Sequence, residues 1–126
     1  MPSEEKYKIW WDDKKMIVRG QVFGVIDEKA AQGILKETIF LAKNKENEIE
    51  WLVDLSQMTK VTSKARKILA DAIGHSSINK IVFFGASTFV RTVVNFILAD
   101  SGQNNTRHFI SEEAALLWLK DEDENA

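Results

Sequence analysis

The side chains that could bind a metal ion or act as nucleophiles are few. The chain contains no cysteine and two histidines, His75 and His108. His75 lies in a Gly-His-Ser-Ser turn after a predicted helix, and His108 lies in or beside a short predicted strand, so we expect no shared metal site. Ser76 next to His75 is a candidate for a Ser-His-acid triad, but sequence neighbours rarely have triad geometry and no Gly-x-Ser-x-Gly turn is present. We therefore predict no catalytic residue, no metal, no cofactor and no enzymatic activity.

One loop has the position, but not the composition, of a phosphate-binding loop. Gly85-Ala86-Ser87-Thr88 joins a predicted strand to the N-terminus of a predicted helix, where anions are favoured. It contains one glycine and no lysine, whereas a nucleotide-binding loop needs several glycines and a lysine. Ser87 is explained as the N-cap of the helix.

The composition is typical of a small globular protein. The 126 residues are 44% hydrophobic and 29% charged, which predicts a single domain over residues 1–126. Seventeen basic and nineteen acidic residues give a net charge of −2, which does not favour nucleic acid as a partner. The charged N-terminus lacks the apolar segment of a signal peptide, and no apolar run approaches the ~20 residues of a membrane span. We expect a cytoplasmic protein.

The hydrophobic pattern predicts the order ββαβαβαβα. A polar segment of four residues, 12–15, suits a hairpin loop between the first two strands. The later alternation of strands and helices is typical of parallel strands. We predict an α/β fold with a single mixed, mostly parallel five-stranded sheet and four helices. The predicted strands are Tyr7–Trp11, Met16–Phe23, Trp51–Val53, Ile81–Phe84 and Arg107–Ile110, and the predicted helices follow Asp27, Thr62 or Ser63, Ser87 and Ser111.

The centre of the chain, Glu50 to Ile73, is predicted to form a strand, a loop and a helix. Trp51–Val53 is a continuous apolar run that ends at Asp54. In Leu55–Lys60 the apolar residues recur with neither the period of a strand nor that of a helix, so this segment is predicted to be a loop. Thr62 or Ser63 then offers a side-chain oxygen to cap the helix.

The same stretch resembles the STAS domain, the fold of anti-sigma-factor antagonists. The resemblance rests on Asp54-Leu55-Ser56 followed by Thr62-Ser63. In that family a serine that caps this helix is phosphorylated to switch partner binding, and Ser63 falls on that serine. Thr62 stands where the family usually has aspartate, and Ala65 where it has glycine.

A similarity over nearly the whole chain links it to the SpoIIAA-like, or STAS/SEC14-like, family. The similar segments, in chain order, are Trp10-Trp11-Asp12, Val53-Asp54, Ala65-Arg66, Lys80–Phe84 and Glu112–Leu119. The resemblance implies a STAS architecture. It also implies that nonpolar ligands or membranes bind where the second and third helices part.

The third helix is more apolar than a helix that covers a sheet requires. Phe89, Val93, Phe96 and Ile97 are predicted to pack on the sheet, and a second row next to them widens the apolar arc to roughly 200°, about twice the usual width. Leu69 and Ile73 of the second helix, a dimer partner, a nonpolar ligand or a lipid surface are the candidates to cover that second row. Its members are Val90, Val94 and Leu98.

Two further patterns point to surfaces. Lys29, Lys36 and Lys43 recur every seven residues beside Phe40 and Gly33 on the first helix, which suits peripheral contact with anionic lipid headgroups.

The tryptophans give the second pattern. Trp51 is predicted to be in the core and Trp118 to pack beside Leu116 and Leu119. Trp10 and Trp11 alternate faces of a strand, so that one of them points outward and suggests self-association as a homodimer.

Two functional hypotheses follow. The first is a binding module for a nonpolar small molecule or a lipid or membrane surface, with a site between the second and third helices. The second is a regulatory protein-interaction domain of the anti-sigma-factor-antagonist type, phosphorylated at Ser63. The residues proposed for the first are Leu69, Ile73, Phe89, Val90, Val94 and Leu98.

Overall fold

A computed structural model describes residues 6–43, 49–74, 78–102 and 106–124. It contains five strands and four helices in the predicted order ββαβαβαβα. The elements are β1 (Tyr7–Asp12), β2 (Ile17–Ile26), α1 (Glu28–Lys43), β3 (Ile49–Val61), α2 (Ser63–Ile73), β4 (Ile78–Phe84), α3 (Thr88–Ser101), β5 (Thr106–Phe109) and α4 (Glu112–Glu124).

The five strands form one mixed sheet in the order β1-β2-β3-β4-β5. β1 and β2 are an antiparallel hairpin, and the pairs β2–β3, β3–β4 and β4–β5 are parallel. The prediction of a mostly parallel sheet with one hairpin is therefore confirmed. Because the last four strands are parallel, α2 and α3 begin at the same edge of the sheet, where β3 and β4 end.

The two faces of the sheet carry different layers. Three helices, α1, α2 and α3, pack on one face, where Trp51, Leu55 and Ile81 join their apolar side chains in the larger core cluster. α4 packs on the other face, where Ala115 and Leu119 contact a smaller cluster centred on Leu52 and Val82. Central strands covered on both sides explain the continuous apolar runs in β3 and β4.

β3 is much longer than the sequence predicts. The segment Leu55–Lys60 continues the strand to Val61, so the prediction of a loop was wrong. Twice along this segment β3 advances one residue more than β2, between the partners of Gln21 and Phe23 and again between those of Gly24 and Val25. Each extra residue changes which side chains point to which face of the sheet, because side chains alternate between the two faces along a strand.

The shifted phase explains why the segment did not look like a strand. Leu55, Met58 and Val61 are all buried, at 3%, 6% and 2% exposure, and they are spaced three residues apart. Bulges thus convert a period of two into an apparent period of three. β2 is longer for the same reason and ends at Ile26 instead of Phe23.

The predicted caps of α1, α3 and α4 are confirmed. Asp27 Oδ1 accepts the N–H of Ala30 at 2.9 Å, Ser87 Oγ that of Val90 at 3.2 Å and Ser111 Oγ that of Ala114 at 3.2 Å. α4 extends to Glu124.

The tryptophans lie as predicted. Trp51 is buried, Trp10 is 41% exposed, and Trp11 packs against the larger core cluster. Trp118 packs with the smaller cluster, with its ring centroid 6.3 Å from that of Phe109. Trp10 is therefore the outward-facing member of the pair on β1.

An ion-pair cluster fastens α4 to the hairpin. Arg19 Nε donates to Asp12 Oδ2 at 2.6 Å, and Arg19 Nη1 donates to Glu112 Oε2 at 2.9 Å. Asp12 Oδ1 also accepts the N–H groups of Lys14 and Lys15 in the turn. The bond from Arg19 is the largest of the interactions that hold the pKa of Asp12 below its ordinary value.

A second, more buried ion pair lies further along α4, beside Leu119. Lys80 is 6% exposed, and its Nζ lies 3.3 Å from Glu50 Oε2 on the neighbouring strand. The same Nζ donates to the carbonyl oxygen of Leu119 at 3.5 Å. Lys80 thus connects β3, β4 and α4.

We predict that Lys80→Ala lowers the free energy of unfolding by about 3 kcal/mol, because it removes one partner of a buried ion pair and a donor to α4. Lys60→Ala, at an exposed lysine on β3, is the control and should change it by less than about 0.5 kcal/mol. Urea denaturation measures both, and equal effects of the two substitutions would show that the Lys80 pair contributes nothing.

Candidate functional site

Thr62, not Ser63, caps α2. Thr62 has extended backbone angles, φ −71° and ψ 161°, and its Oγ1 accepts the N–H of Ala65 at 3.3 Å. Its own N–H donates to the carbonyl oxygen of Ile26 at 3.0 Å, which ties the start of α2 to the end of β2. Of the two candidates that the sequence offered for the cap, the structure has Thr62. Either residue fitted the cap pattern, and the continuation of β3 to Val61 selects Thr62.

Ser63 is consequently an exposed serine with no structural task in the cap. It is the first residue of α2, and its hydroxyl forms no hydrogen bond with another residue in the described part of the chain. A serine at this position lies beside the unpaired N–H groups and the positive end of the helix dipole.

The surroundings of Ser63 are positively charged. The first turn of α2 contains no acidic residue, although the chain as a whole carries a net charge of −2. On a helix, residues three and four positions after Ser63 lie on its own side, and these are Arg66 and Lys67. We call the exposed side chains around Ser63 the basic α2 surface, which comprises Lys60, Lys64, Arg66 and Lys67.

The loop before α3 is shaped by Gly85 and His108. Gly85 has φ +82°, and a Cβ there would lie 3.0 Å from the Cβ of Ser56, so a side chain would be both strained and crowded. The N–H of Ala86 donates to His108 Nε2 at 3.2 Å. Burial, and secondarily the charge of Arg91, lowers the pKa of His108, which favours the neutral ring that can accept this bond.

Metal chemistry has no support in the described residues. Within residues 6–43, 49–74, 78–102 and 106–124, no three His, Cys, Asp or Glu side chains are grouped closely enough to hold an ion. His75 and Ser76, which the sequence analysis considered as a catalytic pair, lie outside the described residues.

The packing face of α3 differs from the prediction. Val90, Val93, Val94 and Ile97 are the buried residues of the helix. Phe89 and Phe96, predicted to pack on the sheet, are 61% and 66% exposed. The buried positions have the i, i+3, i+4, i+7 spacing of one helix face, and this valine-rich face fits against the sheet while the two large rings do not.

The six predicted ligand-binding residues therefore do not form one cleft. Leu69, Ile73 and Val94 line an apolar cavity of about 90 Å³ between the helices and the sheet. Val90 is buried away from it, Leu98 packs half-buried against the core, and Phe89 points to solvent.

The apolar cavity is bounded by more elements than the sequence suggested. Its lining includes Ile34 and Thr38 of α1, Met58 of β3 and Ala72 of α2. Trp51 also lines it, and the buried Nε1 of Trp51 has no acceptor among the described residues. α1 was missed because its apolar stripe looks the same whether it packs against a solid core or a cavity.

The first helix bears on membrane contact. Lys29 and Lys36 are exposed, and Phe40 is 62% exposed, whereas Gly33 is half-buried where a Cβ would overlap the ring of Tyr7. Gly33 therefore belongs to the contact of α1 with β1 and not to the lysine face, and the side chain of Lys43 lies outside the described residues. No helix in the described part of the chain is long and apolar enough to cross a bilayer.

A protein-family comparison matches residues 9–122 to a domain of unknown function, DUF7793. The match spans most of the chain, so the protein belongs to this family. A search of curated protein sequences found no significant match.

Solved structures confirm the predicted SpoIIAA-like fold. An uncharacterized protein from the DUF3478 family with a SpoIIAA-like fold, from Shewanella loihica PV-4, is similar with a TM-score of 0.66 and 16% identity, over 94% of this chain and 98% of that one. The anti-sigma factor antagonist SpoIIAA in its unphosphorylated form is similar with a TM-score of 0.59 and 14% identity, over 90% and 97% of the two chains. At these identities the likeness shows the fold alone.

Thr62→Ala should lower the free energy of unfolding by about 1 kcal/mol, because it removes the acceptor for the Ala65 N–H. Ser63→Ala should change it by less than about 0.5 kcal/mol, since the hydroxyl of Ser63 has no cap role. Parallel urea titrations measure both. If Ser63→Ala lowered the free energy of unfolding more than Thr62→Ala does, Ser63 and not Thr62 would be the cap.

Proposed function

We propose that this DUF7793 domain is a non-enzymatic, regulatory protein-interaction domain that binds its partner at the basic α2 surface and is switched by phosphorylation of Ser63. The proposal rests on the different roles of two neighbouring hydroxyl groups, those of Thr62 and Ser63. Thr62 caps α2, so Ser63 is exposed and chemically free at the start of the helix.

The electrostatics of a phosphate at Ser63 are favourable within the domain. Phosphorylation adds about −1.5 to −2 charges at neutral pH and three acceptor oxygens. The N-terminus of α2 stabilises negative charge by about 0.3–1 kcal/mol. Arg66 and Lys67, one turn further along, are in reach for charge-assisted hydrogen bonds. The modified state is thus compatible with the fold.

The same phosphate would change what the surface attracts. Unmodified, the basic α2 surface complements an acidic patch on a partner protein. A phosphate of about −1.5 to −2 charges cancels up to half of the charge of these four side chains and places negative charge directly opposite such a patch. Phosphorylation is therefore proposed to release the partner. The likeness in fold to an anti-sigma factor antagonist supports this class of function.

Ser63→Asp should weaken partner binding by about tenfold or more, because it places a negative charge within the basic α2 surface. Thr88→Asp is the matched control, since Thr88 is likewise the exposed first residue of a helix, α3, after its own cap Ser87. Tagged variants are recovered from the cells that produce the protein, and the dissociation constant of the retained partner is measured by calorimetry.

Ser63→Ala should bind as the wild type does, because it leaves the charge unchanged. Equal binding by Ser63→Asp and Thr88→Asp, or recovery of no partner with the wild-type chain, would contradict the proposal.

A second candidate function rests on the apolar cavity. It is the binding of a small nonpolar molecule with one hydrogen-bond acceptor, which the Nε1–H of Trp51 could contact. Three of the residues first predicted for a ligand, Leu69, Ile73 and Val94, line this cavity. Its volume of about 90 Å³ is smaller than the ~150 Å³ apolar cavity that accepts benzene, so a lipid chain would require the helices to part.

Ala72→Leu tests the cavity because Ala72 is 4% exposed and lines it, so three added carbon atoms have space to enter. We expect the substitution to stabilise the fold by about 1 kcal/mol and to abolish binding of xenon, the probe, in ¹²⁹Xe NMR. Ala70→Leu is the control, since Ala70 is 3% exposed on the same helix but does not line the cavity, and it should destabilise by about 1–3 kcal/mol.

Equal destabilisation by the two leucines would show that the space is not available to a guest. Native mass spectrometry of the wild-type chain and Ala72→Leu from the producing cells then tests the natural ligand. We expect a bound small molecule in the wild-type chain and none in Ala72→Leu. A small molecule bound to both proteins would show that its site is not the apolar cavity.

A further inference from the structure

α3 carries two exposed phenylalanines on one side. Phe89 and Phe96 are 61% and 66% exposed, whereas Val93 between them is 7% exposed and part of the core. Seven residues make almost two full turns of a helix, so both side chains leave α3 on the same side, about 10.5 Å apart along its axis. Aromatic side chains are enriched where one protein contacts another, and this pair is therefore a candidate contact.

The pair lies next to the basic α2 surface. Phe96 and Arg66 line one concave surface of about 310 Å³ between the two helices, together with Ile97 and Asp100. We call this concave surface the α2–α3 groove. Arg66 is a member of the basic α2 surface, so the groove continues that surface towards α3.

α2 and α3 run side by side in the same direction. Each follows one of the adjacent parallel strands β3 and β4, and at the ends of the helices a Cβ at Gly74 would lie 2.6 Å from the carbonyl oxygen of Ser101. The row from Phe96 to Phe89 therefore leads towards the beginning of α2, where Ser63 lies.

The charge along this region is unequal. The basic α2 surface supplies four positive charges around the beginning of α2, and the first turn of that helix contains no acidic residue. Asp100, the acidic residue of the groove lining, lies one turn beyond Phe96 in the opposite direction. An acidic segment is therefore attracted with its negative side chains towards Ser63 and away from Asp100.

The spacing of the two rings favours a helix as the occupant. A helix that lies along α3 presents apolar side chains of its own every two turns, at the same interval of about 10.5 Å. Side chains on one face of a strand recur about every 6.7 Å, and neither one nor two such steps match this interval.

A membrane surface fits the region less well than a helix. A bilayer is flat, whereas the α2–α3 groove is concave. Anionic headgroups attracted by Arg66 would also be repelled by Asp100 on the same groove.

We propose that the α2–α3 groove binds an acidic amphipathic helix of the partner protein. Apolar residues of this helix, seven positions apart, pack against Phe89 and Phe96, and its acidic residues face the basic α2 surface. The inference rests on the proposed function, since this partner is the one that phosphorylation releases. Ser63 lies three positions before Arg66 and thus on the same side of α2, so its phosphate meets the acidic side of the bound helix.

Fluorescence anisotropy with two labelled synthetic peptides tests the proposal. The first peptide has about 18 residues, or five helical turns, with leucines on one side of the helix and glutamates on the neighbouring side. The second has the same composition, with the leucines dispersed around the helix. We expect the wild-type chain to bind the first peptide, and to bind the second at least about tenfold more weakly.

The two phenylalanines are tested with a matched control. Phe89→Ala and Phe96→Ala should each raise the dissociation constant of the amphipathic peptide about tenfold, because each removes an aromatic anchor. Phe40→Ala should leave it unchanged, since Phe40 is 62% exposed on another helix, α1, and does not line the groove. Circular dichroism confirms that each variant is folded.

The outcomes distinguish this inference from the proposed regulation. If Ser63→Asp weakens binding of the amphipathic peptide while Phe89→Ala and Phe96→Ala do not, the inference is overturned and the regulation stands. If both alanine substitutions weaken binding and Ser63→Asp does not, the groove binds the helix and the regulation by Ser63 fails.

Three further results would overturn the inference. One is equal binding of the two peptides, or binding of neither. Another is an effect of Phe40→Ala equal to that of Phe96→Ala. The third is binding of the wild-type chain to phosphatidylglycerol vesicles in place of the amphipathic peptide, which would identify a membrane as the occupant.

Discussion

The structure depends on the pairing of β3 with β2 along the whole length of both strands. The two bulges in β3 keep Leu55, Met58 and Val61 on the buried face while the chain advances towards the edge of the sheet. The pairing ends with Ile26 beside Val61, and the N–H of Thr62 donates to the carbonyl oxygen of Ile26. The first residue of α2 is therefore determined by strand pairing.

The pairing of β3 with β2 also determines which hydroxyl group is available for the proposed function. Because β3 extends to Val61, Thr62 takes the cap position and Ser63 becomes the first helical residue, with its hydroxyl exposed. The apolar cavity has the same origin, since Leu55 and Met58, carried by the bulged part of β3, form part of its lining.

Most of the fold could be predicted from the sequence, whereas the geometry of the sites could not. Buried runs such as Trp51–Val53 and caps such as Asp27 and Ser111 depend on local composition, and they were found. The bulged segment Leu55–Lys60 was missed because its burial has a period of three, which matches no regular element. Phe89 and Phe96 were placed inside because hydrophobicity alone cannot distinguish a ring that packs in the core from a ring that is exposed on the surface.

The central claim is that the free hydroxyl of Ser63 switches a protein contact at the basic α2 surface. The most direct test is the phosphate occupancy of Ser63, measured by peptide mass spectrometry in the partner-bound and the partner-free pools of the chain isolated from its own cells. We expect phosphate on Ser63 in the free pool and unmodified Ser63 in the bound pool. Equal occupancy in the two pools, or a Ser63 that is never phosphorylated, would contradict it.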